Sequence, residues 1–433
     1  MIIFNAGAQL VALAAIVLIQ IAYSIAAARL LGVEAFGQFS FLFSITQILL
    51  IGCDLGLHNT AIRKIALYVA EDRQSEAAEV FGRFFSLKVL VSLAFAACAG
   101  GISLLILQTT ADRVALLLFA AGMVFQSLNT ALNITFQAQG KLYLGSLNNV
   151  LMSVLNLALG AGFLLAGGRV VALGLAYLLA MSAAFLVNWK VFEHNVHPLR
   201  LRGLDQWRDL VRESLPVGLG TFFNTVAARI DITMLGLIVG TYQTGIYSAA
   251  YRIYGTLLNI PIAIFSAVLP AMASFGEKRE GVRGLFDRSI ASMVAIAFPL
   301  AIVFFGLSGV LTRLLYGAAY APAAGILRIL AWSLIPAFVG MAFSHVILSQ
   351  GSLTRRLPVI AAVAMAANIG LNFVLIPRMG NRGAAVSTLA TEVLLAMLYA
   401  VGAKDFLFGK TNMDVETLGT LIEAPRSAKG RGL

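Results

Sequence analysis

The sequence predicts an all-α integral membrane protein of about twelve transmembrane helices arranged as two six-helix lobes. Three observations carry this: the chain is too apolar for water, its apolar runs recur at helix length, and its motifs repeat about 210 residues apart. Hydrophobic residues make up 60% of the 433 and charged residues only 12%, where a soluble domain carries about 45–50% and 25%. A chain of this composition cannot clothe itself in polar surface, so its solvent is lipid.

Apolar runs of about 17–25 residues place helices near 8–31, 38–58, 84–107, 114–136, 144–166, 170–190, 215–239, 246–273, 289–309, 323–348, 357–376 and 383–402. The connections are too short for a separate catalytic domain. Met1-Ile2-Ile3-Phe4-Asn5 offers neither a basic stretch nor a small-residue cleavage site, and is expected to lead into a retained first span. Cys53 and Cys98 lie far apart inside apolar runs and read as small packing residues, not as a disulfide or metal ligands.

The formal charge is +11, and the placement of the basic residues matters more than their number. With the N-terminus inside, 21 of the 31 Lys and Arg fall in the inner loops and tail. Only Arg29, Arg113, Arg169, Arg313, Arg378 and Arg382 lie outside. The positive-inside rule then puts both termini in the cytoplasm, at the cytoplasmic (inner) membrane of the cell. The charge reads as topology, and no nucleic-acid partner is expected.

Gly32-Val33-Glu34-Ala35-Phe36-Gly37-Gln38-Phe39-Ser40 matches Gly240-Thr241-Tyr242-Gln243-Thr244-Gly245-Ile246-Tyr247-Ser248 in its Gly, aromatic and Ser positions, 208 residues later. Gln139-Gly140-Lys141-Leu142 and the Asn156 to Gly168 spacing recur at Gln350-Gly351-Ser352-Leu353 and from Asn368 to Gly380. Six helices per unit is an even number, so the repeats run parallel and leave a site at their interface. The domains expected are an N-terminal lobe over 1–200, a C-terminal lobe over 201–403, and a cytoplasmic, disordered tail over 404–433. Between the lobes, residues 193–213 read either as an amphipathic surface helix, with Leu204, Trp207, Leu210 and Val211 on one face, or as a solvated linker.

A charge deep in a span costs roughly 2.5–3.5 kcal/mol and demands a partner, an aqueous cavity or a route to the interface. Lys88 and Arg328 lie near span ends, where long stems snorkel. Asp231 and Arg252 fall at similar depths on either side of a short turn and are expected to pair across it. That leaves Arg229 over: mid-membrane, two residues from Asp231 and so off its face, it suggests a wet cavity that receives an anion. None of the three is duplicated in the first half. Asp54 and His58, four residues apart, read as a local hydrogen-bonded cap or a proton relay. Glu392 is a lone acid in the last span. Glu193-His194 with His197 lacks a third ligand, so no metal is expected. No phosphate-binding Gly-x-x-x-x-Gly-Lys-Ser/Thr loop occurs and no cofactor is implied, so the chain is not an ATPase by itself.

At Ala28-Arg29-Leu30-Leu31-Gly32 through Phe36-Gly37, Asp54-Leu55-Gly56-Leu57, Asp231 with Leu235-Gly236, Gly245-Ile246-Tyr247, Pro270, Leu315-Tyr316-Gly317, Asn372 to Pro377 and Gly383-Ala384-Ala385, the chain resembles a known family. These are the O-antigen and exopolysaccharide flippases of the multidrug/oligosaccharidyl-lipid/polysaccharide (MOP) exporter superfamily. The resemblance implies a MATE/MOP-like fold: two lobes in a V around a cationic cavity, alternating access, and no enzymatic step. It implies transport of a polyprenyl-pyrophosphate-linked oligosaccharide for surface lipopolysaccharide or exopolysaccharide, with membrane lipids and polymerase or export machinery as partners. Arg229, Arg252 and Lys88 would then meet the pyrophosphate, while Asp231, Asp54, His58 and Glu392 serve structure or coupling. The related peptidoglycan-precursor flippases usually carry two further C-terminal helices, which weighs against the lipid II reading.

Two rivals stand beside this. A multidrug efflux pump of the same superfamily shares the double six-helix plan but suits acidic cavities and cationic drugs. A membrane glycosyltransferase or polymerase needs a larger extramembrane loop than any here. The topology is directly testable. Reporters fused after residues 75, 205, 280 and 410 are expected to read cytoplasmic; an outer-face signal at residue 205 would make the first lobe odd in helix number and abolish the parallel repeat.

Overall fold

The computed structural model describes residues 2–54, 56–195, 207–276 and 278–409. The described chain forms α1 (Ile2–Gly52), α2 (Leu57–Ala70), α3 (Gln74–Ile106), α4 (Thr110–Ala138), α5 (Leu142–Leu165) and α6 (Val170–Asn195). The second half follows as α7 (Trp207–Ile238), α8 (Thr241–Leu257), α9 (Asn259–Ser274), α10 (Arg279–Tyr316), α11 (Ala323–Ser349), α12 (Arg356–Met379) and α13 (Asn381–Phe408). Large apolar side chains such as Leu105, Leu165, Val310 and Phe373 stay exposed on the helices, as a lipid solvent requires.

Three of the expected spans are built differently. The first two are arms of one element, α1, which bends at Gly32 without an intervening loop (φ 75°, ψ 175°). A side chain would strain that backbone conformation, and glycine adopts it freely. The eighth is split into α8 and α9 at Leu258. Pro261, in the first turn of α9, has no N–H to donate back to Leu257, so a continuous helix would lack a bond there. The short helix α2 buries Leu57, Ala61 and Ile65 and exposes Arg63. The linker from 196 to 206 and the tail from 410 lie outside the described residues; α13 itself continues to Phe408.

The halves repeat in backbone as well as in sequence. Gly240 turns between α7 and α8 at φ 89° and ψ 175°, nearly the values at Gly32. α4 lies against α3 and α6, and α11 against α10 and α13, so each lobe has one central helix in the equivalent place. Buried asparagines tie these helices together. Asn188 donates to Asn133 Oδ1 at 3.1 Å, and Asn148 donates to Asn129 Oδ1 at 3.2 Å. In a membrane such polar contacts stand in for the hydrophobic drive that lipid removes.

The lobes meet chiefly where α1 packs on α8 and α7. Gly37 and Gly245, equivalent residues of the two repeats, abut across this seam. A Cβ on Gly37 would overlap the Thr241 carbonyl, and one on Gly245 would overlap the Val33 carbonyl. At the same end, Arg29 donates to the carbonyls of Leu314 and Leu315, and the Tyr320 hydroxyl donates to the Ala28 carbonyl at 3.0 Å. At the opposite end Gly56 touches Ser214 and Gly218 of α7, and Glu213 pairs with Lys64 at 2.9 Å and Arg63 at 3.6 Å. Overpacking a tight contact costs about 1–3 kcal/mol. Gly37→Ala and Gly245→Ala are each expected to lower the melting temperature of the purified protein by several degrees. Gly255→Ala, whose Cβ meets nothing within 4 Å, is expected to leave it unchanged.

Candidate functional site

A cavity of about 380 Å³ lies between the lobes, walled on one side by α1, α4, α5 and α6 and on the other by α7 and α8. The second lobe gives it two charges, Arg229 from α7 and Arg252 from α8. The first lobe gives it uncharged polar groups: Gln20 and Gln47 on the two arms of α1, Gln126 on α4, Asn149, Ser153 and Asn156 on α5. Tyr23, Phe39, Phe43 and Tyr177 complete the wall, and the Tyr177 hydroxyl donates to Gln126 Oε1. No carboxylate lines the cavity among the described residues.

Arg252 is held by its aromatic neighbours. Its guanidinium lies 5.5 Å from the Phe36 ring centre and 5.8 Å from that of Phe39, a cation–π arrangement that orients the fork without neutralising it. Arg229 has no ion-pair or hydrogen-bond partner for its guanidinium among the described residues. Two unneutralised guanidiniums beside amides and hydroxyls can receive an anionic oxygen cluster, bidentately at each fork. The amides and rings suit a polyhydroxylated neighbour.

Asp231 does not pair with Arg252. The carboxylate points into the second lobe, 2% exposed. It accepts from the Tyr247 hydroxyl at 2.8 Å, the Thr388 hydroxyl at 2.7 Å and the Asn372 amide at 2.5 Å. Asn372 in turn donates to Asn368 at 3.0 Å, and Asn368 to Thr391 at 3.3 Å. This network joins α7, α8, α12 and α13. Arg252 sits five residues beyond Tyr247 on α8, on a different face, which is why similar depth did not bring the two charges together. The i,i+4 pair of Asn368 and Asn372 was the available signal, since it places two amides on one face of α12.

Lys88 does not reach the cavity either. It is buried, 2% exposed, with Nζ 2.7 Å from Asp54 Oδ1 and 3.2 Å from the Cys53 carbonyl. The lysine therefore serves the C-terminal end of α1, where orphan carbonyls and a carboxylate gather. Asp54 is thereby ion-paired with Lys88, and no hydrogen bond joins it to His58 among the described residues. Glu392, part-buried in α13, accepts from the Tyr254 hydroxyl at 3.1 Å. Arg328 lies near the Gly32 end, where it donates to the Ser308 hydroxyl at 3.1 Å and stacks over Phe305 at 5.9 Å.

Removing one member of a buried ion pair strands the other and costs about 3–5 kcal/mol. With Asp54 24% exposed, Lys88→Met is expected to fall at or below the low end of that range and to lower folded yield, with Asp54→Asn restoring part of it. Asp231→Ala and Arg252→Ala are expected instead to add in their effects on melting temperature, within about 0.5 kcal/mol, as uncoupled sites do. Rescue of Asp231→Ala by Arg252→Ala would restore the pairing that the structure lacks.

The family model described as polysaccharide biosynthesis protein matches residues 4–275, and that of the lipid II flippase MurJ matches residues 199–422. The probable low-salt glycan biosynthesis flippase Agl15 of Haloferax volcanii is 24% identical over 390 residues, which is 86% of this chain and 77% of that one. The teichuronic acid biosynthesis protein TuaB of Bacillus subtilis is 23% identical over 158 residues, 36% of this chain and 33% of that one. An inward-facing multidrug resistance MATE family transporter of the MOP superfamily superposes with a TM-score of 0.76 at 18% identity, over 95% of this chain and 96% of that one. A MOP superfamily transporter from Pyrococcus furiosus, described as having a binding pocket of reverse polarity, superposes with a TM-score of 0.68 at 17% identity, over 94% and 95%. The two structural likenesses establish the MATE/MOP-like fold.

Proposed function

The chain belongs to the polysaccharide biosynthesis protein family, and from that premise we propose that it is a flippase. It moves a polyprenyl-pyrophosphate-linked oligosaccharide across the cytoplasmic membrane by alternating access. The observation that carries this reading is the pair Arg229 and Arg252 in a cavity that no carboxylate lines among the described residues. The pyrophosphate binds at the two guanidiniums, and the first sugars lie along the amides of Gln20, Gln126 and Asn149 and the ring of Tyr177. The prenyl chain stays in lipid. Orientation follows the basic residues: α2 and its neighbours face the cytoplasm, and the Gly32 end faces out. The chain acts as a transporter and makes or breaks no covalent bond, and it hands its product to polymerase or export machinery.

The lobes 1–200 and 201–403 act as the two moving bodies, with the Gly37–Gly245 seam closing the outer side. Opening outward separates that seam, and the ion pairs of Glu213 with Lys64 and Arg63 close the opposite side. A cationic drug would meet two like charges and no counter-charge in this cavity, which disfavours the efflux reading.

Deleting the gene is expected to leave lipid-linked repeat units in the inner leaflet and abolish surface polysaccharide. Complementation normalised to protein level then reads the site. Arg229→Ala is expected to lose transport at least tenfold while remaining inserted and abundant, and Arg229→Lys to restore part of it by keeping charge without the fork. Full export by Arg229→Ala would move the anion site elsewhere. Normal polysaccharide with raised sensitivity to cationic drugs on deletion would favour the efflux pump.

A further inference from the structure

A second and larger cavity, about 580 Å³, lies away from the lobe interface at the Gly32 end of the C-terminal lobe. It is formed where the starts of α8, α11 and α13 converge beside the last turns of α10. Arg313, Arg328 and Arg382 line it, all exposed, with Tyr242, Gln243 and Asn381 and no carboxylate among the described residues. Arg313 and Arg382 have no ion-pair or hydrogen-bond partner for their guanidiniums among the described residues. No side chain caps the N-terminus of α8 or α11, while at the start of α13 the Asn381 backbone N–H donates to the side-chain Oε1 of Gln243 at 3.2 Å. Three helix N-termini add their partial positive charge to the three guanidiniums.

The absence of acids beside the arginines distinguishes this lobe from the first. Two positions that match by repeat and by helix start, Tyr242 and Gly325, correspond to Glu34 and Asp112 in the first lobe, where Asp112 accepts from Gln38. Arg113 and Arg169 stand at the matching starts of α4 and α6, but Glu34 and Asp112 accompany them, so only the second-lobe recess lacks a carboxylate among the described residues. Basic residues are also scarce at this end of the bundle, so three in one recess call for an anion.

The recess continues onto the lipid-facing surface. The Arg328 guanidinium stacks over Phe305 at 5.9 Å, and Phe305 contacts Trp332 with ring centres 6.0 Å apart. Both rings are exposed, at 43% and 40%. Trp332 lies nine residues into α11, about 13 Å below that helix's start at 1.5 Å per residue and one turn beyond Arg328. A headgroup in the recess would therefore have an apolar track for its tail, which a free phosphate would not use.

We propose that this recess binds the phosphate-bearing headgroup of a lipid in the extracytoplasmic leaflet, with its chain along Phe305 and Trp332. The occupant is an anionic bilayer phospholipid or the polyprenyl pyrophosphate carrier, which share the recognised group. The binding stands apart from the transport reading and is measured without transport.

The test uses the full chain with Trp189→Phe and Trp207→Phe, which leaves Trp332 as the reporter, reconstituted in nanodiscs. Phosphatidylglycerol brominated on its chains is expected to quench Trp332 at about fivefold lower mole fraction than brominated phosphatidylcholine, the worth of roughly one arginine contact. Adding Arg313→Gln and Arg382→Gln is expected to erase that preference while the melting temperature holds, because neither side chain makes an ion pair. Relief of quenching by unbrominated polyprenyl pyrophosphate at low mole fraction identifies the carrier as occupant; no relief identifies the bilayer lipid. Equal quenching by the two brominated lipids, or a preference that survives loss of both arginines, would overturn the proposal.

Discussion

Every ionisable group within a bilayer must find a counter-charge, a set of hydrogen bonds or water, and that requirement sorts the charges of this protein by role. Lys88 and Asp54 neutralise each other at the end of α1. Asp231 is satisfied by neutral donors from three other helices and acts as a tie within the second lobe. Glu392 has a tyrosine hydroxyl. Arg252 and Arg229 alone among these lack anionic or hydrogen-bonding partners, and both face the cavity between the lobes. The candidate site stands out because these other intramembrane charges have partners.

The same selectivity appears in how the repeats are used. Backbone features are shared between halves: Gly32 with Gly240 in torsion, Gly37 with Gly245 in contact. Charges are not shared. The first lobe supplies the cavity with amides and rings, the second with guanidiniums. A pseudo-symmetric frame thus presents two chemically different walls to the space between the lobes, so a molecule with an anionic head and an uncharged polar body would have a defined way round there.

Much of this was legible in the sequence. Apolar run length, the asymmetry of Lys and Arg, and the 208-residue offset give the spans, the orientation expected and the duplication, because each depends on chain-local properties. Arg229 and Arg252 were legible as intramembrane cations. The partner of Asp231 was not, because depth along two helices says nothing about which way each side chain faces once the helices pack. Tyr247, Thr388 and Asn372 are separated from Asp231 by 16 to 157 residues, and ordinary polar residues in apolar helices carry no mark of a shared partner. Lys88 misled for the related reason that a long stem reaches either an interface or a buried acid, and only packing decides. The undivided path of α1 escaped notice because glycine is common in both loops and helices.

That undivided path has a mechanical consequence. The first arm of α1 runs some 30 residues from the bend at Gly32, about 45 Å at the helical rise. Its ring at Tyr23 is seated against Gly160 of α5, so arm and α5 turn as one piece. With the far side of the bend pinned against α8, a change of about 10° in the two torsions of a single glycine sweeps the free end of the arm through about 8 Å. Gly32 is thus the pivot of a crank. While the seam stays closed, motion about Gly32 is smallest there and greatest at the free end of the arm, so one wall of the cavity can swing with no loop between the two arms having to refold.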